Sequence, residues 1–79
     1  MQTEQNYIIY QCRRGMLELD QILLKFVTNH YTNLSMFNQQ KFSILLQEND
    51  IDLYNWLIGS CITENNELKD LILLIRSFL

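Results

Sequence analysis

Apolar residues recur every three or four positions along nearly the whole chain, and no stretch alternates long enough to form a strand. Spacings of three and four place side chains on one face of an α-helix. The chain has no proline and two isolated glycines, so no segment is expected to be disordered. The sequence therefore predicts an all-α fold, a compact five-helix bundle in which residues 1–79 form a single small domain.

The first two predicted helices are separated by a glycine. The first covers about residues 3–12, and the second and longest covers about residues 16–31. Gly15 is a natural break between them, because glycine adopts conformations that end helices. The predicted buried stripe of the second helix is Met16, Leu19, Leu23, Phe26, Val27 and His30.

The remaining three helices are predicted from capping residues as well as spacing. The third begins after Ser35, and Asp50 is predicted to cap the fourth, which covers about residues 51–58. Gly59 is expected in a left-handed conformation at the end of the fourth, and Thr63 is expected to cap the fifth. The residues predicted to be buried on the third and fifth helices are Phe42, Leu45, Leu46, Leu68, Leu71, Ile72, Ile75 and Leu79.

Charge and hydropathy exclude two classes of partner. Nine acidic and six basic residues give a net charge of -3, whereas nucleic-acid binding requires a clustered basic surface. The longest apolar run, residues 71–75, is far shorter than the roughly 20 residues that cross a bilayer. The N-terminal residues resemble neither a secretory signal nor a transit peptide, so we expect a cytoplasmic location without a membrane span.

The residue types that support catalysis or metal binding are scarce. His30 is the one histidine, and it falls on the buried stripe of the long helix rather than beside a nucleophile. Cys12 and Cys61 are far apart in sequence, so we expect two reduced core thiols and no metal site. No phosphate-binding glycine loop occurs. We therefore expect no catalytic residue and no stably bound cofactor.

The densest polar cluster lies at the predicted break between the first two helices. If helical geometry persisted across Gly15, Arg14 and Glu18 would form an exposed ion pair contributing about 0.3 to 0.5 kcal/mol. The functional alternative is that Gly15 admits a partner's backbone, while Arg14 donates hydrogen bonds and Glu18 holds it in place. The spacing by itself leaves both interpretations open.

These residues resemble the SdhE family of bacterial and mitochondrial assembly factors, which carries a short R-G-x-x-E signature. Arg14, Gly15 and Glu18 match the signature. A second stretch, residues 50–57 (Asp-Ile-Asp-Leu-Tyr-Asn-Trp-Leu), looks like another sequence block of the same family. We call these residues the second block. The resemblance covers roughly residues 7–76.

The resemblance implies a five-helix bacterial protein that is not an enzyme but assists autocatalytic attachment of FAD to a partner. The implied partner is the flavoprotein subunit of succinate dehydrogenase, with that of fumarate reductase as an additional candidate. FAD would be the partner's cofactor. The implied partner-binding residues are Arg14, Gly15 and Glu18, with Tyr10, Arg13 and Asp20 around them. The alternative is an antitoxin-like or regulatory protein-binding adaptor.

Overall fold

Residues 2–79 fold into five α-helices, as the periodicity of the sequence predicts. A computed structural model describes the backbone of residues 2–79 and the side chains of residues 6–79. Within that part of the chain there is no strand, and the radius of gyration of 11.5 Å agrees with about 12 Å for a compact domain of this length. The helices are α1 (Gln2–Gln11), α2 (Leu17–His30), α3 (Met36–Leu45), α4 (Asp50–Leu57) and α5 (Asn66–Ser77), with a short 3-10 helix at Tyr31–Asn33.

The core is built from the apolar stripes of all five helices. Phe42 of α3 is fully buried near its centre, with ring centroids 5.5 Å from Phe26 and 6.0 Å from Tyr31. In the predicted stripe of the second helix, burial is confirmed for Leu19, Leu23, Phe26 and Val27, whereas Met16 and His30 are half-buried. The buried apolar residues are Ile8, Cys12, Leu19, Leu23, Phe26, Val27, Tyr31, Phe42, Leu45, Leu46, Leu53, Leu57, Leu68, Leu71, Ile72 and Ile75.

The last residues of the predicted stripes on the second and fifth helices, His30 and Leu79, lie at the edge of the core. His30 is half-buried, and its ring stacks on Phe78 with centroids 3.8 Å apart. Leu79 is 57% exposed, so its predicted burial is wrong. The reason is that α5 ends at Ser77 and the last residue no longer follows the helical stripe. The histidine therefore serves as a packing residue at the boundary of the bundle.

The cap of α3 follows the prediction, whereas the cap of α4 lies one residue earlier than predicted. Ser35 Oγ accepts a hydrogen bond from the backbone N–H of Asn38 at 3.1 Å. For α4 the capping residue is Asn49, whose Oδ1 accepts from the N–H of Asp52 at 2.8 Å. Asp50 is thereby the first residue of the helix, where its carboxylate is close to the positive end of the helix dipole.

The cap of α5 also differs from the prediction. Asn65, not Thr63, caps this helix, since its Oδ1 accepts from the N–H of Glu67 at 2.9 Å. Thr63 acts one step earlier, because its hydroxyl accepts from the N–H of Asn65 at 3.1 Å. Asparagine and threonine are both favoured caps. The conformation of the turn before α5 decides which of the two side chains reaches the free N–H groups of the first helical turn.

The two glycines have different structural roles. Gly15 has a φ of +87°, and it is the glycine with positive φ among the described residues. Gly59 therefore does not have the predicted left-handed conformation. Glycine fits there for a steric reason instead, because a Cβ at this position would lie 2.9 Å from the carbonyl oxygen of Asn55. Only at Gly15 does the backbone itself favour glycine.

The two cysteines differ in their exposure to solvent. Cys12 is buried, as predicted, whereas Cys61 is exposed, so the prediction of two core thiols is correct for one of them. Burial raises the pKa of the Cys12 thiol to about 12, although the nearby positive charge of Arg14 opposes this. Cys12 is therefore a protonated, apolar core residue at neutral pH.

Candidate protein-binding site

The segment between α1 and α2 carries the signature and is not helical. α1 ends at Gln11 and α2 begins at Leu17, and the positive φ of Gly15 lies between them. Helical geometry therefore does not persist from Arg14 to Glu18. The predicted pairing of these two side chains is wrong, because Arg14 turns inward and pairs with Asp50 of α4.

The guanidinium of Arg14 donates hydrogen bonds to four oxygen atoms of the protein. Nε lies 2.7 Å from Oδ1 of Asp50. One terminal nitrogen donates to the carbonyl oxygens of Gln11 at 3.1 Å and Leu46 at 2.6 Å. The other donates to the carbonyl oxygen of Glu48 at 2.6 Å. The side chain is 15% exposed, and it satisfies carbonyl groups at the ends of α1 and α3 that have no intrahelical partner.

Asp20 shapes the same segment from the other side. Its Oδ1 accepts from the backbone N–H of Arg14 at 2.8 Å, and its Oδ2 accepts from that of Gly15 at 3.1 Å. Asp20 lies in the first turn of α2, so its carboxylate fastens the segment to this helix. Sequence reasoning proposed it as a residue around the partner contact, and its observed contacts are within the chain.

The outward-facing residues of this region form a small mixed surface. We call the exposed set Tyr10, Arg13, Gly15, Leu17 and Glu18 the signature surface. Tyr10 and Leu17 are each 73% exposed, beside one positive and one negative side chain. Exposed aromatic and arginine side chains are typical of protein interfaces. Sequence reasoning missed Leu17, although an apolar residue off the buried stripe of α2 was the available signal.

Among residues 6–79, no three histidine, cysteine or acidic side chains are grouped where they could hold a metal ion. None of the helices described there combines the length and the apolar character needed to span a bilayer.

Gly15 allows a direct test of this local geometry. Gly15→Ala is expected to lower the free energy of unfolding by about 1 to 2 kcal/mol, because residues with a Cβ are strained at positive φ. The space itself is open, since a Cβ would meet nothing within 4 Å. Gly15→Asn should cost less, because asparagine tolerates positive φ better. Urea unfolding measures both, and equal losses would contradict a purely conformational cause.

Comparison with known proteins identifies the family. A family model described as flavinator of succinate dehydrogenase matches residues 6–79. The chain belongs to this family. A flavinator-family relative named FAD assembly factor SdhE, from Legionella pneumophila (strain Lens), is 40% identical over 74 residues, which cover 94% of this chain and 92% of the relative.

Two further relatives of the flavinator family carry the same name, FAD assembly factor SdhE. The protein of Pectobacterium atrosepticum is 40% identical over 70 residues, covering 89% of this chain and 80% of its own length. The protein of Coxiella burnetii is 40% identical over 65 residues, which cover 82% of this chain and 79% of the relative. The resemblance predicted from the two sequence blocks is thus confirmed. In the fold, the ion pair between Arg14 and Asp50 joins those two blocks.

Proposed function

We propose that this chain assists the covalent attachment of FAD to the flavoprotein subunit of succinate dehydrogenase. The observation that carries the proposal is the family match over residues 6–79. The names of the relatives, which describe them as FAD assembly factors, support it. The proposal includes a cytoplasmic location and, as an additional host, the flavoprotein subunit of fumarate reductase.

In this proposal the chain is a binding partner and not an enzyme. The flavin and its host supply the bond-forming groups, and FAD remains the host's cofactor. A docking protein can accelerate such a step if it binds most tightly to the host conformer in which the reacting groups are aligned. The host then does not need any catalytic side chain from this chain.

The signature surface is the part of the chain that suits this docking. Gly15 is exposed and has no side chain, so a partner's backbone can approach it closely. Glu18 is exposed in the first turn of α2 and is available to a basic group of the host. Tyr10, Arg13 and Leu17 add apolar area and one positive charge around them.

The test measures flavin attachment in cells. In-gel flavin fluorescence of the denatured flavoprotein subunit is compared between cells that have and lack this chain. We expect the covalent flavin signal to depend on the chain and Glu18→Ala to lose most of it, because the host loses an exposed charged contact. The matched control is Glu67→Ala, which removes an exposed glutamate from the first turn of α5 and should retain the signal.

Each outcome bears on a different part of the proposal. A fluorescence signal that is unchanged when the chain is absent would contradict the assembly role and favour the adaptor alternative. A dependence on the chain together with full activity of Glu18→Ala would support the assembly role but remove Glu18 from the contact. Equal losses in Glu18→Ala and Glu67→Ala would indicate a general stability effect, since both residues interact with a helix dipole.

A further inference from the structure

The two blocks of family sequence meet at one ion pair, and neither of its side chains belongs to the signature surface. We infer that Arg14 and Asp50 form a positioning pair that holds the signature surface in its partner-binding conformation. The inference rests on the proposed function, because it concerns docking on the flavoprotein subunit. It assigns to Asp50 a role in docking that is exerted through Arg14.

Arg14 connects residues 13–16 to four helices. The side chain of Arg14 reaches the end of α1 at Gln11, the end of α3 at Leu46 and the start of α4 at Asp50. Its backbone N–H is bound to Asp20 of α2. One residue thus fixes the position of residues 13–16 relative to four helices.

Fixing this segment in advance matters for binding. Residues 13–16 are not helical, and residues outside regular structure can adopt many conformations unless contacts restrict them. A partner that must order such a segment loses affinity by the entropy of ordering, whereas a pre-organised segment avoids that loss. The internal bonds of Arg14 supply this restriction without using any group on the signature surface.

The neighbouring residue Asp52 separates the positioning effect from a general effect of charge. Asp50 and Asp52 both lie in the first turn of α4, where a negative charge favours the helix dipole. Only Asp50 of these two is paired with Arg14, at 2.7 Å. Asp52 Oδ2 accepts from the side-chain nitrogen of Asn49 at 2.9 Å. Removing either charge takes one negative charge from the first turn of α4, but only the removal at Asp50 takes away the carboxylate that binds Arg14.

The first measurement is the affinity of the purified chain for the purified flavoprotein subunit, taken by titration calorimetry well below the unfolding temperature. Asp50→Asn is expected to weaken binding roughly tenfold, as partial loss of pre-organisation would. Asp52→Asn should stay within about twofold. An affinity of Asp50→Asn equal to wild type, with only a lower unfolding temperature, would overturn the inference, as would equal weakening by both variants.

The second measurement distinguishes positioning from direct contact by Arg14. Arg14→Lys keeps the positive charge but lacks the planar fork of donors. If Arg14 and Asp50 act as one unit, the double variant should bind about as weakly as the weaker single variant. Additive losses would overturn the inference. A loss in Arg14→Lys with none in Asp50→Asn would also overturn it, because Arg14 would then act on the partner directly.

The third measurement uses the free chain and does not depend on the proposed partner. Amide hydrogen exchange at Arg14 and Gly15 reports how often this segment opens. Asp50→Asn is expected to accelerate this exchange by about tenfold, and Asp52→Asn is expected to leave it unchanged. Unchanged exchange in Asp50→Asn would overturn the inference. Accelerated exchange in a chain whose wild type does not bind the flavoprotein subunit would instead contradict the proposed function.

Discussion

Replacing Arg14 by alanine is expected to lower the free energy of unfolding by about 2 to 4 kcal/mol. The change leaves the carboxylate of Asp50 and the carbonyl groups of Leu46 and Glu48 without their donors. Breaking a fully buried ion pair costs about 3 to 5 kcal/mol. The expected loss is smaller here, because Asp50 is 41% exposed and water can solvate part of its charge. Urea unfolding followed by circular dichroism measures it.

Arg13 is the matched control for this variant. It has the same side chain one position earlier, and it is exposed. Arg13→Ala should therefore change the free energy of unfolding by less than about 0.5 kcal/mol. Equal losses in the two variants would contradict the structural role of Arg14. A loss in Arg14→Ala that clearly exceeds the loss in Arg13→Ala would support that role.

Replacing Phe42 by alanine is expected to cost about 3 to 5 kcal/mol of folding stability. Phe42 is completely buried and contacts the rings of Phe26 and Tyr31, so the change leaves a cavity in the centre of the bundle. Total stabilities of about 5 to 15 kcal/mol are usual for small domains. Thermal unfolding should therefore occur more than about 10 °C lower than in the wild type.

Phe37 provides the control on the same helix. Its ring is 64% exposed, and the ammonium group of Lys41 lies 4.2 Å from the ring centroid. Phe37→Ala should therefore cost no more than about 1 kcal/mol, which is the contribution of an exposed cation–π contact. A comparable fall in unfolding temperature for both variants would contradict the assignment of Phe42 to the centre of the core.

The cap of α3 was predicted correctly, whereas those of α4 and α5 lie one and two residues from their predicted positions. Asn49 and Asp50 are neighbours, and both side chains are good helix caps. The choice between them depends on which oxygen reaches the free N–H groups of the first turn, and that is decided by the path of the preceding loop. The same applies to Thr63 and Asn65. Local sequence therefore located these helix starts without resolving the capping residue.

The residues of the signature were recognisable from sequence, but the role of Arg14 was not. Its match to the family and its place beside Gly15 could be read from neighbouring residues. Its partner could not, because Asp50 is 36 positions away in the chain, and spacing along one helix suggested Glu18 instead. Because α1 ends at Gln11 and α2 begins at Leu17, Arg14 and Glu18 do not lie one turn apart on a helix.

The sequence by itself determined the helical class, the main buried stripes and the family, because periodicity and short motifs depend on residues that are close together in the chain. Leu23, Phe42 and Leu71 are buried as their spacing predicts. The tertiary structure alone decided which polar groups meet and which apolar residues stay outside, as Leu17 and Leu79 do. Those outcomes depend on how helices pack against one another. A long-range contact such as that between Arg14 and Asp50 leaves no periodic pattern in the sequence from which it could be predicted.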